Sequence, residues 1–190
     1  MNRNWIQFWK LAEPEHLRLR AFCRKLTGNR DDGDDLYQDS LVKALTGYES
    51  LRKVEAFRAW LYRITVNEYK NRCRKPWWKM ITLTPERSEM SSFDPGSAYA
   101  ARRRLEIAFR ALNSNDHALV TLFELQGWTV AELTEIAGQS EGNIKVRLFR
   151  SRKKMRRALI RFDKRSAQEK VTRNNLIKEK VCVVTKPGKD

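Results

Sequence analysis

Residues 76–97 are rich in proline, serine and threonine and lack apolar periodicity, whereas the sequence on both sides repeats apolar residues with a helical period. An unstructured loop of about 22 residues is unusual inside a compact domain, so this stretch is predicted to be a flexible linker. It separates residues 1–75 from residues 98–165. The pattern therefore predicts an all-α protein of two small helical domains, followed by a basic tail, residues 166–190, that we expect to be poorly ordered.

Three helices are predicted in the first domain. The stretch from Pro14 to Leu26 has proline in its first turn and a glycine after its end, which are favoured positions for these residues. A second helix, from Leu36 to Leu45, follows an acidic group that favours a helix amino terminus through the helix dipole. The third helix carries an apolar stripe with helical spacing and ends before a proline. Its stripe consists of Phe57, Trp60, Leu61 and Ile64.

The second domain contains a helix-turn-helix pattern. Thr129 and Glu132 form a capping box that begins a short helix, residues 130–137. A tight turn containing Gly138 separates this helix from a longer one, residues 141–162. A short helix, a glycine-containing turn and a basic second helix are typical of a DNA-binding unit.

Positive charge is concentrated in the longer of these two helices. The formal net charge of the chain is +16, and residues 137–165 contain 11 lysines and arginines against 2 acidic residues. A basic surface of this size favours nucleic acid as a partner. On a helical wheel, the residues that face the core are Ile144, Leu148, Ser151, Met155 and Leu159. The residues of the opposite, outward half are Gly142, Lys145, Val146, Phe149, Arg150, Lys153 and Arg157.

The outward half of this helix has the composition of a major-groove reader. In such a helix the amino-terminal residues reach base edges, while later lysines and arginines contact phosphate. Lys145 and Arg150 are therefore candidate base-reading residues. The alternative is an amphipathic helix that packs on a neighbour and has no DNA-binding role.

Other classes of function find little support. The chain has no apolar run of about 18 residues and no signal-peptide pattern near Met1, so we expect a cytoplasmic protein without membrane insertion. Its three cysteines and two histidines are too dispersed for a disulfide framework or a zinc site. The acidic group at residues 31–39 lacks calcium-loop spacing, so helix capping and a protein contact are preferred to metal binding. We therefore predict no catalytic residue, no metal, no cofactor and no small-molecule substrate.

Two segments, in order and separated by the linker, resemble a known family. The first is Asp34-Asp35-Leu36-Tyr37-Gln38-Asp39 with Ala56-Phe57-Arg58-Ala59-Trp60-Leu61-Tyr62-Arg63-Ile64, and the second runs from Leu133 to Arg152. They resemble regions 2 and 4 of extracytoplasmic-function sigma factors in the sigma-70 family, over about residues 14–160. The resemblance implies an RNA polymerase sigma factor, which binds core polymerase, recognises promoter DNA, supports strand opening and initiates transcription.

The resemblance also implies a role for three groups of residues. Those expected to dock on core polymerase are Asp35, Leu36, Gln38 and Asp39. Those expected to hold the separated minus-10 strand are Tyr48, Arg58, Arg63, Asn67, Lys70 and Arg74. Those expected to bind the minus-35 element, on the outward half of the long helix, are Gly142, Lys145, Val146, Phe149, Arg150 and Lys153. A dedicated anti-sigma protein, in this family often membrane-bound, is a further implied partner.

Two other functions are alternatives. A helix-turn-helix regulator that binds operators as a dimer explains residues 129–157 but leaves the first domain without a task. A nucleic-acid enzyme would use the acidic group with magnesium. Within the first domain, Tyr48 is compatible with either base stacking or packing, whereas the stripe that contains Phe57, Trp60 and Leu61 is interpreted as core.

Overall fold

The computed structural model describes residues 3–76 and 95–184 of the 190-residue chain. In these two ranges the backbone forms α-helices and short 3-10 or π-helical segments, without a strand, which confirms the predicted all-α fold. The α-helices are α1 (Arg3–Ala12), α2 (His16–Thr27), α3 (Arg30–Gly47), α4 (Phe57–Arg74), α5 (Pro95–Arg110), α6 (Ser114–Val120), α7 (Val130–Ala137) and α8 (Glu141–Val184). None of the helices in the described ranges is both long enough and apolar enough to span a membrane.

Helices α2 and α3 pack closely because a glycine lies at their contact. A Cβ atom at Gly33 would lie 2.5 Å from the Cα atom of Arg24, so a larger residue would force the helices apart. Beside this contact, Asp34 accepts hydrogen bonds of 2.7–2.8 Å from Arg20 and Arg24. These two guanidinium groups hold the pKa of Asp34 well below its usual range. One member of the acidic group therefore joins two helices.

Helix α3 begins at Arg30, more than one turn before the predicted start at Leu36. The side chain of Asn29 caps it by accepting a 2.8 Å hydrogen bond from the backbone N–H of Asp32. The acidic residues thus lie inside the first turns, where the helix dipole favours negative charge. The helix itself was correctly predicted, but its boundary was wrong because the acidic residues were interpreted as flanking it.

Helix α1 was not predicted, and it completes the core of the first domain. The ring of Phe8 has no exposed surface, and its centroid lies 5.7 Å from that of Tyr48 and 5.7 Å from that of Phe57. One turn later, Ala12 is also buried. Aromatic residues near the amino terminus therefore act as packing groups on the end of α4.

The structure of the second domain confirms the predicted helix-turn-helix. The hydroxyl of Thr129 accepts a 3.2 Å hydrogen bond from the N–H of Glu132, whose carboxylate in turn accepts one of 2.8 Å from the N–H of Thr129. This is the predicted capping box of α7. Gly138 ends α7 at φ +63°, a left-handed conformation that favours glycine.

Helix α8 is longer than predicted. It continues to Val184, well beyond the predicted end at residue 162. The reason is local, because neither glycine nor proline occurs between Gly142 and Pro187. At the other boundary, α5 begins at Pro95, inside the predicted linker. The rest of the predicted linker, residues 77–94, and residues 185–190 lie outside the described residues.

The two helical domains pack against each other. Trp128 is 3% exposed, and the centroid of its ring lies 4.7 Å from the ring centroid of Tyr62 on α4. Close by, the hydroxyl oxygen of Tyr69 lies 2.9 Å from the Nδ1 atom of His117 on α6. Helix α4 therefore contacts both α6 and α7, and the two domains form a closed arrangement.

Candidate nucleic-acid interface

The outward half of α8 presents all the residues predicted for it. On the inward half, Ile144, Leu148 and Ser151 are buried, as the helical wheel predicted. The six outward residues expected to bind the minus-35 element are all exposed: Gly142, Lys145, Val146, Phe149, Arg150 and Lys153. Phe149 is 65% exposed and Val146 is 46% exposed. Apolar side chains among cations at the start of a helix can contact thymine methyl groups while their neighbours contact bases and phosphate.

Asp116, which was not singled out from the sequence, holds α8 in place. This buried carboxylate accepts hydrogen bonds of 3.2 and 3.0 Å from Arg147 and one of 3.2 Å from Lys154. Arg147 also donates a 3.0 Å hydrogen bond to the side chain of Gln139 in the turn. Asp116 lies in the first turn after the helix cap Asn113, where an acidic residue is common, so no local sequence pattern singled it out. These contacts set the angle at which α8 leaves the turn.

Helix α4 carries a row of cations at the contact with the second domain. Arg63, Asn67 and Arg74 are exposed, while Arg58 and Lys70 are partly buried. The helical spacing places Arg63, Asn67, Lys70 and Arg74 within about 60° of one another on α4, whereas Arg58 is rotated from them by about 120° or more. All five were predicted to hold the minus-10 strand, so the structure brings them together on one helix.

Arg58 has the largest number of partners in this row. Its Nε atom lies 3.2 Å from a carboxylate oxygen of Glu15, so the two groups form an ion pair, but the N–H is not aligned for a hydrogen bond. Its Nη1 atom donates to the carboxylate of Glu132 at 3.3 Å. Its guanidinium carbon lies 4.1 Å from the ring centroid of Trp128, a cation–π distance. Arg58 therefore links the first domain to α7.

A cleft of about 560 Å³ lies next to this row. Arg63, Asn67 and Lys70 line one side of it, and Gln139 and Arg147 line the other. Burial lowers the pKa of Lys70, and the nearby positive charges of Arg74 and Arg147 lower it further. The neutral side chain of Asn67 accepts a hydrogen bond of 3.2 Å from Lys70. The cleft thus has an excess of positive charge, which suits a bound anion.

Tyr48 lies in the aromatic core. Its ring is partly buried and meets the rings of Phe8 and Phe57 edge to face, at 5.7 and 6.3 Å. The interpretation of the apolar stripe as core is confirmed for Phe57 and Leu61, which are 3% and 0% exposed. Tyr48 is held by the same group of rings.

The residues predicted to dock on a protein partner lie on α3. Asp35, Gln38 and Asp39 are exposed, whereas Leu36 has no exposed surface and lies beneath this face. Asp39 forms an ion pair with Arg72 of α4. The face therefore consists of polar side chains supported by the core.

The acidic group of α3 has protein partners. Asp34 binds two arginines, Asp39 pairs with Arg72, and Asp32 accepts a hydrogen bond from Asn29. In the part of the chain that the structure describes, no three histidine, cysteine, aspartate or glutamate side chains are grouped to hold a metal ion.

Comparison with known families identifies both halves of the chain. The family model described as Sigma-70 region 2 matches residues 11–79, which include α2 to α4. The model described as Sigma-70, region 4 matches residues 102–155, which include the helix-turn-helix.

Individual proteins show the same similarity. The RNA polymerase sigma factor SigV of Bacillus subtilis is 30% identical over 135 residues, which cover 71% of this chain and 80% of that protein. The ECF RNA polymerase sigma factor SigM of Mycobacterium tuberculosis is 28% identical over 152 residues, 80% of this chain and 76% of that protein. A solved structure of the sigma factor RpoE from Bartonella quintana, in complex with the anti-sigma factor NepR, superposes with a TM-score of 0.62. That likeness has 25% identity and covers 80% of this chain and 96% of the other.

Proposed function

The chain belongs to the extracytoplasmic-function group of the sigma-70 family, and from this membership we propose that it binds core RNA polymerase and directs it to promoters through two DNA-binding surfaces. It is a transcription initiation factor rather than a catalytic enzyme. The observation that carries the proposal is the presence, in one chain, of a cationic row on α4 and an exposed basic face on the second helix of a helix-turn-helix.

The second domain is proposed to bind the minus-35 element with the amino-terminal half of α8. Lys145 and Arg150 are the candidates for base edges, and Lys153 is placed one turn later for phosphate. In the free chain Lys145 pairs with Glu141 at 3.0 Å, and both side chains are more than half exposed. Because exposed ion pairs contribute little, DNA can replace this partner at small cost.

The first domain is proposed to hold the separated minus-10 strand on α4. Arg58, Arg63, Lys70 and Arg74 supply charge for phosphates, and Asn67 supplies an amide that can pair with a base edge. The ring contacts of Tyr48 favour a role in supporting the neighbouring loop over a role as a free stacking platform.

The exposed face of α3 is proposed to dock on core polymerase. The carboxylate of Asp35 can accept hydrogen bonds, the amide of Gln38 can accept or donate them, and Asp39 can accept them while paired with Arg72. Leu36 contributes by packing beneath the face. Because the RpoE relative has been solved with an anti-sigma factor, we further propose that this chain is held by an anti-sigma partner.

The free energy for promoter opening comes from binding alone. Two modest DNA contacts on one chain reinforce each other, because the first raises the effective concentration of the second. Core polymerase adds the third contact, so each surface can be small and selective. Capture of unpaired bases on α4 then favours the open promoter.

The test is promoter-dependent transcription by core polymerase with and without the chain. The variant Asp35→Ala, Gln38→Ala, Asp39→Ala is expected to lose core binding and specific transcripts, because it removes the three exposed polar side chains proposed to dock. Glu13→Ala, which removes an exposed carboxylate elsewhere in the first domain, serves as the matched control. Duplex-DNA binding with no polymerase association would instead support a simple operator-binding regulator.

A further inference from the structure

Helix α7 covers part of the α4 surface that is proposed to hold the minus-10 strand. The carboxylate of Glu132 lies 3.3 Å from Arg58, and Trp128 lies against the same guanidinium group. One turn further along α4, Arg63 donates a hydrogen bond to the backbone oxygen of Glu135. Two of the cations expected to bind DNA are thus occupied by acceptors from the other domain.

The charges of the two surfaces are complementary. Helix α7 contains Glu132 and Glu135 and neither lysine nor arginine. On α4, Arg58 and Arg63 contact this helix, and Lys70 lines the adjacent cleft. The carboxylate and the backbone oxygen accept hydrogen bonds from arginine, as the oxygens of a phosphodiester also do. Helix α7 therefore supplies the cations with acceptors of the same kind as nucleic acid.

Apolar and aromatic contacts hold this arrangement together. Trp128 is almost fully buried against Tyr62, and Tyr69 lies within hydrogen-bond distance of His117. Such contacts favour a defined closed state over occasional collisions between two tethered domains. The closed state still leaves Lys70 near Arg147 across the cleft, a repulsion that opposes closure. The contact between the two domains therefore includes interactions that favour the closed state and one that favours the open state.

We propose that α7 is an intramolecular competitor of promoter DNA, which occupies Arg58 and Arg63 in the free chain and must leave α4 before the minus-10 strand can bind. This inference rests on the proposed role of α4 in strand binding. It predicts that the closed chain binds the strand more weakly than an open chain would, because α7 and the strand cannot both be bound to Arg58 at once. It also assigns Glu132 two tasks, since the same side chain caps α7 and neutralises Arg58.

The double role of Glu132 provides a selective variant. Glu132→Gln retains a side chain that completes a capping box, but it removes the charge that faces Arg58. Thr129→Ala is the matched control, because it removes the cap from α7 and leaves the Glu132 carboxylate in place. Both are made in full-length chain that also carries Lys145→Ala and Arg150→Ala, so that α8 contributes little to DNA binding.

The measurement is fluorescence anisotropy of a labelled, mixed-sequence single-stranded DNA titrated with each chain at low salt. Glu132→Gln is expected to bind about two- to fivefold more tightly than the parent, the range set by one partly exposed ion pair. Thr129→Ala is expected to show no gain. Equal binding by Glu132→Gln and the parent, or an equal gain for Thr129→Ala, would overturn the competition.

A third variant separates this inference from the proposed function. Adding Arg58→Ala to Glu132→Gln is expected to abolish the gain, because Arg58 is the group released. If Arg58→Ala weakens binding while Glu132→Gln has no effect, the strand-binding role of α4 stands and the competition fails. If Arg58→Ala changes nothing, Arg58 does not contact the strand, and both ideas fail at this residue.

Discussion

Single side chains in this protein act between helices that are distant in sequence. Asp116 on α6 binds two cations of α8, and Asp34 on α3 binds two arginines of α2. Each carboxylate accepts hydrogen bonds from two cationic side chains, which makes such contacts stronger than a single exposed pair. Their task is to orient the faces that carry the proposed binding residues.

His117 predicts a pH-dependent stability. Burial between the two domains lowers its pKa to about 4, below the usual value of about 6.5. The folded chain therefore binds this proton less readily than the unfolded chain, so its stabilising effect is complete above about pH 6.5 and is lost as the pH falls toward 4. Urea unfolding at pH 7 and pH 4.5 is expected to differ by about 2 kcal/mol from this residue.

The control for this experiment is His117→Asn, which keeps a polar group near Tyr69 but does not titrate. It should flatten the pH profile between pH 7 and pH 4.5. The pKa of Asp34 is lowered, so its contribution is lost only below about pH 4. An unchanged slope in the His117→Asn variant would show that other groups cause the loss.

At the scale of elements, α1 extends the first domain beyond the part that the family model matches, which begins at residue 11. Phe8→Ala is expected to lower the free energy of unfolding by about 3 to 5 kcal/mol, because a fully buried ring leaves a cavity. Chemical denaturation measures this loss, and Gln7→Ala, at an exposed position of the same helix, is the control. A loss below about 1 kcal/mol would mean that the site collapses or that α1 is not docked in solution.

Helix α7 shows how one element serves two packing partners. Its capping box and the left-handed Gly138 define a short helix of eight residues, which alone would be marginal in water. Leu133 and Ile136 are buried and line the cleft between the domains, while Glu132 and the backbone oxygen of Glu135 contact α4. The short helix is therefore stabilised by contacts with both α4 and α8.

At the scale of the whole molecule, the seven exposed or half-buried cations proposed to contact DNA predict a steep salt dependence. They are Arg58, Arg63, Lys70, Arg74, Lys145, Arg150 and Lys153. Promoter binding by the polymerase complex is expected to weaken by about 10³- to 10⁴-fold between 50 and 200 mM salt through these contacts, because each one releases a counterion. Lys153→Ala should reduce the slope by about 1, and an unchanged slope would remove that residue from the interface.

The sequence by itself determined the features that depend on neighbours along the chain. The capping box at Thr129, the turn at Gly138 and the outward face of α8 were all predicted, since caps and helical period are local. The same reasoning placed the row from Arg58 to Arg74 on one helix.

Only the tertiary structure decided which partners these residues have. Leu36 lies beneath the α3 face, Phe8 closes the first core, and Glu132 meets Arg58. Each of these facts depends on contacts between residues far apart in the chain. Helical period shows which residues share a face but not what covers that face. The closed arrangement of the two domains, and with it the competition proposed for α4, therefore follows from packing and complementary charge and has no signature in local sequence.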